Sequence, residues 1–594
     1  MMPEPQTQPQ KLLPVAQLIA SWVGASDLPP ESQCARICDL AAVSRGEGSV
    51  EQAPEPESLG QAYETGMASN ERSRQGSWFT PRPLAAWLTS TAFGLLDDDA
   101  PPVTLDPACG GGAFLLAAVR EMVSRGVSPA RAFSYLRGFD LDATALLVAR
   151  AALEIEAIAQ GLEPEVAELA SLKEGNFLTM GPSEDGQLSF EVSDIAIEKV
   201  RMVLGNAPFQ SQLKSRTARE GNDRAALEKA FGEAGQGYVD TATLFLLRAL
   251  DHTSDESVIS LIVPASVLAS RDGSIARTRI AERASIVSFW RDGDERAFEG
   301  GVPVCSLFLR PAQIQGKISR TVGLAQDVMT DFSQTGDALR QGKWGRLLID
   351  QTTLPNVESA STNGQLGDIA PVTADFRDQY YGLAELVEEG SADGEFAPLV
   401  VTGMIDPAEL KWGIEAARFN REQWQRPAVK LDDLKRSELA EWSAKRLVPK
   451  VLVTTQSRIP EAFADAEGRL IPCPPLLVIA DAKVSPWRIA ALVNSPFAAT
   501  WGILESAGSA LSLDAVKLSA SQLRDLPMPA NTDAWERAAA EQQAAHEATD
   551  HDTRLIRLAS SCRLMWKAYG LPAAEGDRAT EWWLGRLPNR RGRN

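Results

Sequence analysis

The chain of 594 residues is long enough for two or three domains and, at 44% hydrophobic, for sizeable cores. No run of about 18 apolar residues occurs, so no membrane-spanning helix is expected, and the polar, proline-rich Met1–Gln10 predicts no secretory leader. A net charge of −20 repels phosphates in bulk, so a partner such as DNA requires a segregated basic face.

Charge is indeed segregated. Residues 411–460 hold 11 Lys/Arg against 6 Asp/Glu, whereas residues 1–70 hold 9 acids against 3 bases. The tail Gly585–Asn594 carries four arginines and no acid. The six cysteines are scattered, and with three histidines in the chain the Cys34/Cys38 pair finds no zinc partners. No metal site is expected, and free thiols in a reduced, cytoplasmic protein are the reading.

In residues 1–70, Leu12–Val23 has helical apolar spacing and Gly46–Gly60 reads as a linker, with no chemistry evident. Next, Thr80 is placed to cap a helix whose first residue is Pro81. Val103-Thr104-Leu105 is an extended run. It leads into Asp106-Pro107-Ala108-Cys109-Gly110-Gly111-Gly112-Ala113-Phe114-Leu115, a strand, a glycine turn and a helix. Glycines there let a ligand approach the backbone, and the following helix turns its free N–H groups to the same place. Neither the phosphate-loop nor the dinucleotide glycine spacing is present. A strand ending in Asp140-Leu141-Asp142 follows some 30 residues later, the geometry by which nucleotide folds hold a ribose, with Asp140 or Asp142 as the acid. Gly175-Asn176-Phe177-Leu178 and then an apolar strand ending in Asn206-Ala207-Pro208-Phe209 complete the series.

An Asn carbonyl with a neighbouring backbone carbonyl suits the activation of a planar amine. Such an amine is a poor nucleophile when its lone pair is delocalised into a ring. Two acceptors draw its protons, and the nitrogen toward tetrahedral geometry, without a strong base.

The glycine loop and the tetrad together resemble adenine-specific DNA methyltransferases of the gamma arrangement, as found in restriction-modification systems, over residues 70–310. The resemblance implies S-adenosyl-L-methionine as cofactor. Its loop would rest on Asp106, Ala108, Gly110, Gly112 and Phe114. Phe79, Thr80 and Pro81 would close over its methionine end. Asp140 would hold the ribose, with Asp142 capping the next helix, while Asn176 and Phe177 would meet the adenine. Asn206, Ala207, Pro208 and Phe209 would form the catalytic tetrad, Phe209 stacking on a base flipped out of the duplex. Two positions depart from the family. Asn176 stands where an acid is usual, and Ala207 replaces a proline, keeping the carbonyl but not the fixed φ.

From about residue 340, short strands separated by Gly, Pro and Asp resemble a target-recognition domain. Its basic and aromatic residues, Trp412, Arg418, Arg421, Trp424, Arg426 and Lys430 among them, suit phosphate and base-edge contact. The expected fold is α/β: a Rossmann-like class I methyltransferase sheet with flanking helices, plus a C-terminal mixed α+β recognition domain. The expected divisions are 1–70 (helical and linker), 71–335 (cofactor-binding), 336–530 (recognition) and 531–594 (helical with a basic tail). The leading reading is site-specific adenine-N6 methylation of double-stranded DNA, beside a separate restriction or defence subunit, with no membrane partner. The alternatives are transfer to RNA or protein nitrogen, and a catalytically weak DNA- or partner-binding subunit of a defence complex.

Overall fold

The computed structural model describes residues 7–25, 28–44, 53–67, 79–179, 200–208, 221–237, 239–293, 302–314, 316–323, 327–333, 337–375, 377–390, 394–508 and 515–588. The chain divides into two units, Met1–Leu347 and Leu348–Asn594.

The first unit opens with three helices, α1 (Gln8–Ala25), α2 (Gln33–Leu40) and α3 (Pro56–Gly66). The linker expected over Gly46–Gly60 is therefore corrected in its last five residues. Pro56 opens a helix there, at a position where its missing N–H costs nothing. Helices α4 (Arg82–Phe93), α5 (Ala113–Ser124), α6 (Ala143–Ala159) and α7 (Thr241–Asp251) follow the expected order. The strands are β1 (Thr104–Asp106), β2 (Leu136–Asp140), β3 (Ser171–Glu174), β4 (Val200–Asn206), β5 (Thr253–Pro264), β6 (Ser285–Arg291), β7 (Val304–Arg310), β8 (Lys317–Val322) and β9 (Asp327–Ser333).

They form a nine-stranded sheet in the order β3-β2-β1-β4-β5-β7-β6-β8-β9. From β3 to β5 every pairing is parallel. Strand β7 runs antiparallel to both β5 and β6 and lies between them. Residues Val258–Pro264 are buried throughout, as a strand covered on both faces must be, which is why they read as an unbroken apolar run. One core joins α1, α2 and α3 to α4, α5 and α6, with Leu12, Ile19, Leu59, Leu88, Leu116 and Leu153 among its members.

The second unit is α+β. One four-stranded sheet orders Val372–Ala374, Leu477–Ala480, Lys450–Val453 and Ala462–Asp465. Another orders Glu388–Glu389, Pro427–Lys430, Phe396–Val400 and Ile471–Pro472. The segment Ala464–Leu470 is not a hairpin turn, because the chain changes sheets there. Lys450–Val453 pairs with Ala462–Asp465, whereas Ile471–Pro472 runs parallel to Leu399–Val400. Buried Asp465 holds the corner by accepting from the N–H groups of Arg469 and Leu470 and from the Lys450 ammonium. The division 531–594, expected to be helical, opens with two helices, Thr532–Glu547 and His551–Ala568. Asp550 starts the second by accepting from the N–H of Thr553 at 2.8 Å. No described helix is long and apolar enough to cross a membrane.

Candidate active site

The strand order reverses at β1, with β2 on one side and β4 on the other. In a parallel sheet this reversal opens a crevice beyond the carboxyl ends of the strands. Each strand there ends in a polar residue: Asp106 on β1, Asp140 on β2, Glu174 on β3 and Asn206 on β4. All four line one cavity of about 540 Å³.

The glycine loop is the near wall, and its three glycines do three jobs. Gly110 has a φ of +48°, and its N–H donates to Asp140 Oδ2 at 2.8 Å, tying the loop to the end of β2. Gly111 meets α3: a Cβ on it would lie 2.5 Å from the Gly60 Cα, closer than carbon atoms allow. Gly112, with a φ of +88°, turns the chain into α5 and caps it without a side chain. Gly205 on β4 has a related role, since a Cβ there would stand 2.7 Å from Asp106 Oδ1.

Three aspartates share the floor. Asp106 is 2% exposed and accepts from the N–H of Ala108 at 3.1 Å. Burial raises its carboxyl to about 8, against the pull of that hydrogen bond and with help from the Asp140 charge. Burial also raises Asp140, although the N–H groups of Asp142 and Gly110 stabilise its charge. Asp142 caps α6 through the N–H of Thr144. Burial works to raise it too, but the Tyr63 hydroxyl at 2.5 Å, that cap and the Lys11 ammonium outweigh burial and hold it low.

On the far wall, Asn176 Oδ1 accepts from the N–H of Leu178 at 3.0 Å, a local turn that shapes the segment around Phe177. The Phe177 ring lies between Phe139, at 6.1 Å, and Phe245, stacked at 5.8 Å. Asn206 donates its amide Nδ2–H to Thr80 Oγ1 at 3.3 Å. That contact assigns the nitrogen to the Thr80 side and turns the amide carbonyl away from it. Thr80 is thus not the helix cap expected from the sequence. Pro81 caps α4 with no side-chain bond, which leaves the threonine hydroxyl to orient Asn206.

Of the residues singled out in the sequence, Phe79, Thr80, Asp106, Ala108, Gly110, Phe114, Asp140, Asn176, Phe177, Asn206 and Pro208 line the cavity. Pro81, Gly112 and Ala207 are not among its lining residues. Phe209 lies outside the described residues.

Ala207 is buried, and its N–H donates to the carbonyl of Ile262 at 3.1 Å, extending the β4–β5 ladder by one bond. The alanine therefore fixes by hydrogen bond a backbone that proline would fix by its ring. Ala207→Pro is expected to lower stability by about 1–2 kcal/mol, because it removes this donor and strands a buried acceptor. A shift in the urea midpoint at unchanged slope would measure it, and an unchanged midpoint would contradict the account.

Lining residues Lys11, Gly60, Tyr63, Glu64 and Met67, from α1, α3 and the residue after α3, had no sequence signal of function. Glu64 Oε2 accepts from the N–H of Phe79 at 2.5 Å and so seats the closing segment. Lys11 stands 3.8 Å from Asp142.

Residues 55–328 match the family model of N-6 DNA Methylase. Over 100 residues the chain is 33% identical to the Type II methyltransferase M.VspI of Vibrio sp. (strain 343), covering 17% of this chain and 22% of that protein. The match thus spans about a fifth of the curated relative. Among solved structures, the Type IIL restriction-modification enzyme MmeI in complex with DNA gives a TM-score of 0.56 at 13% identity, over 93% of this chain and 81% of MmeI. The type IIG restriction endonuclease BpuSI gives 0.46 at 13% identity, over 98% and 78%. The MmeI likeness is one of fold. The methylase match covers the whole path from α3 to β8, and with it every cavity residue except Lys11.

Proposed function

We propose that this chain transfers a methyl group from S-adenosyl-L-methionine to the N6 amine of an adenine flipped out of a specific sequence in double-stranded DNA. The carrying observation is that the glycine loop after β1 and Asn206 at the end of β4 line the same cavity. The methylase match over residues 55–328 supports the acceptor class. The residues fit the cofactor. Among the described lining residues, besides the protonated Asp106, stand four acidic side chains, Glu64, Asp140, Asp142 and Glu174, and one amine, Lys11, a balance that favours a ligand of net positive charge.

When bound, the cofactor supplies an electrophilic sulfonium methyl. Asp140 would accept from its ribose hydroxyls, Asn176 and Phe177 would border its base, and Phe79, Thr80 and Pro81 would close over its methionine end. Asn206, oriented by Thr80, accepts one N–H of the target amine, and the Ala207 carbonyl accepts the other. Both acceptors hold the nitrogen lone pair toward the methyl donor. The methylated nitrogen is cationic and gives up one proton to water, so no strong base is required. Pro208 and Phe209 flank the flipped base.

We assign the C-terminal unit to target recognition. The setting is cytoplasmic host DNA in a restriction-modification or phage-defence system, with a separate restriction or defence subunit reading the mark. Purified protein given labelled S-adenosylmethionine should label duplex DNA. Label on tRNA or protein alone would redirect the acceptor. Cofactor binding without transfer to any DNA would favour a weakly catalytic DNA- or partner-binding subunit. That second reading draws on Asn176, an amide at a position where the family has an acid and already engaged with Leu178.

Cofactor binding should also be linked to pH. Free Asp106 holds its proton up to about pH 8, whereas in the unfolded chain it would release it near the usual carboxylate value. Its contribution to stability is therefore complete below about pH 4 and is lost as pH rises through 8. A cationic ligand favours the ionised form, so binding should release a proton and tighten as pH rises toward about 8. Calorimetry in buffers of different ionisation enthalpy reads this release, and proton uptake on binding would contradict it.

A further inference from the structure

Resting on the reading of the chain as a DNA-modifying enzyme, we propose that the hairpin Ala417–Trp424 is a β-ribbon that reads base edges in the DNA major groove. Arg421 faces a guanine and Asn420 an adenine.

The hairpin pairs Ala417 with Trp424, Arg418 with Gln423 and Phe419 with Glu422, leaving Asn420-Arg421 as a two-residue turn. Both turn residues are left-handed, at φ +48° and +69°. That is the turn which normally asks for Asn-Gly, because glycine has no Cβ to crowd the backbone. An arginine in the glycine position is held at a conformational cost, and such outliers concentrate where a side chain has work to do.

The base of the hairpin is fixed. Phe419 is buried, and its carbonyl accepts from Trp424 Nε1 at 3.1 Å. The Tyr380 hydroxyl accepts from the N–H of Asn420 at 3.2 Å, and its ring meets Phe419 edge-on at 5.0 Å. Above this anchor Arg418, Asn420, Arg421 and Gln423 are exposed. Among the described residues no ion pair or hydrogen bond engages the guanidinium of Arg418 or Arg421, whereas Arg446 and Arg554 in the same unit are half-buried against Asp375 and Glu409.

A rigid two-stranded ribbon with free polar tips matches the width of the major groove. Arginine and asparagine are the side chains that make paired hydrogen bonds to guanine and adenine there. Glu422 beside the tip repels phosphates, which argues for base edges over a backbone clamp.

The test expresses the full chain in a bacterial host without adenine methylation and maps modified adenines by single-molecule sequencing. Arg421→Gly suits the turn, so the melting temperature should hold or rise. At one guanine of the recognised sequence, discrimination should fall by about tenfold or more, with the other positions intact. Arg421→Lys keeps the charge but not the planar fork, and should relax the same position. Variants that modify the wild-type sequence with unchanged discrimination, or that weaken all sites alike, would overturn the hairpin assignment and leave the methyltransferase reading standing. Wild-type protein that modifies no DNA would remove both.

Discussion

Replacing Asn206 by alanine is expected to lower methyl transfer by about 10³-fold while leaving cofactor affinity within about twofold, since a placed polar group of this kind is worth ~10²–10³ in rate. The asymmetry follows from position. Asn206 ends β4, whereas the glycine loop follows β1, so on the proposed reading its loss empties the acceptor side and spares the cofactor side. Its amide is already oriented by Thr80, so the wild-type residue loses little freedom when the target amine arrives. Single-turnover transfer measured beside equilibrium cofactor binding separates the two effects. If both fell together, Asn206 would be part of the cofactor pocket and the division of roles would be wrong.

Replacing Asp140 by asparagine should do the reverse. Cofactor affinity is expected to fall by about 2–3 kcal/mol, roughly 50-fold, because hydrogen bonds to a charged acceptor are worth ~1.5–3 kcal/mol and the amide keeps only one acceptor. Saturating cofactor should restore most of the rate. Stability of the ligand-free protein should change by less than about 1 kcal/mol. Burial already works against the Asp140 charge, so removing that charge offsets the weakened bond from the Gly110 N–H. A carboxylate held against its own desolvation is the usual sign that function, not folding, keeps it there. Calorimetric affinity and thermal unfolding check the pair. Collapse of the fold with unchanged affinity would make Asp140 a loop tether and nothing more.

How far the site was legible differs by residue. The glycine loop, Asp140 and Asn206 could be read because each lies where a strand gives way to a turn, within a few consecutive residues. Ala207 and Thr80 were legible in place but not in role. An alanine where proline was expected suggested a looser backbone, yet its N–H finds Ile262. A threonine before proline suggested a helix cap, yet its hydroxyl meets a side chain 126 positions away. The contribution of α1 and α3 left no trace in local pattern. Helical apolar spacing over Leu12–Val23 says that a face is buried, not what it is buried against. Tyr63 meets Asp142 across 79 positions.

The sequence by itself determined the alternation of strand and helix, the turns that glycine permits and the polar residues that close β1, β2 and β4. These depend on periodicity and on backbone freedom, both local properties. Only the tertiary structure decided that Gly111 must be bare because Gly60 lies against it, that Asp140 holds the loop as well as facing the cavity, and that Tyr63 and Lys11 complete the wall around Asp142. Close packing sets those relations, and it joins residues far apart in the chain whose types carry no record of their neighbours.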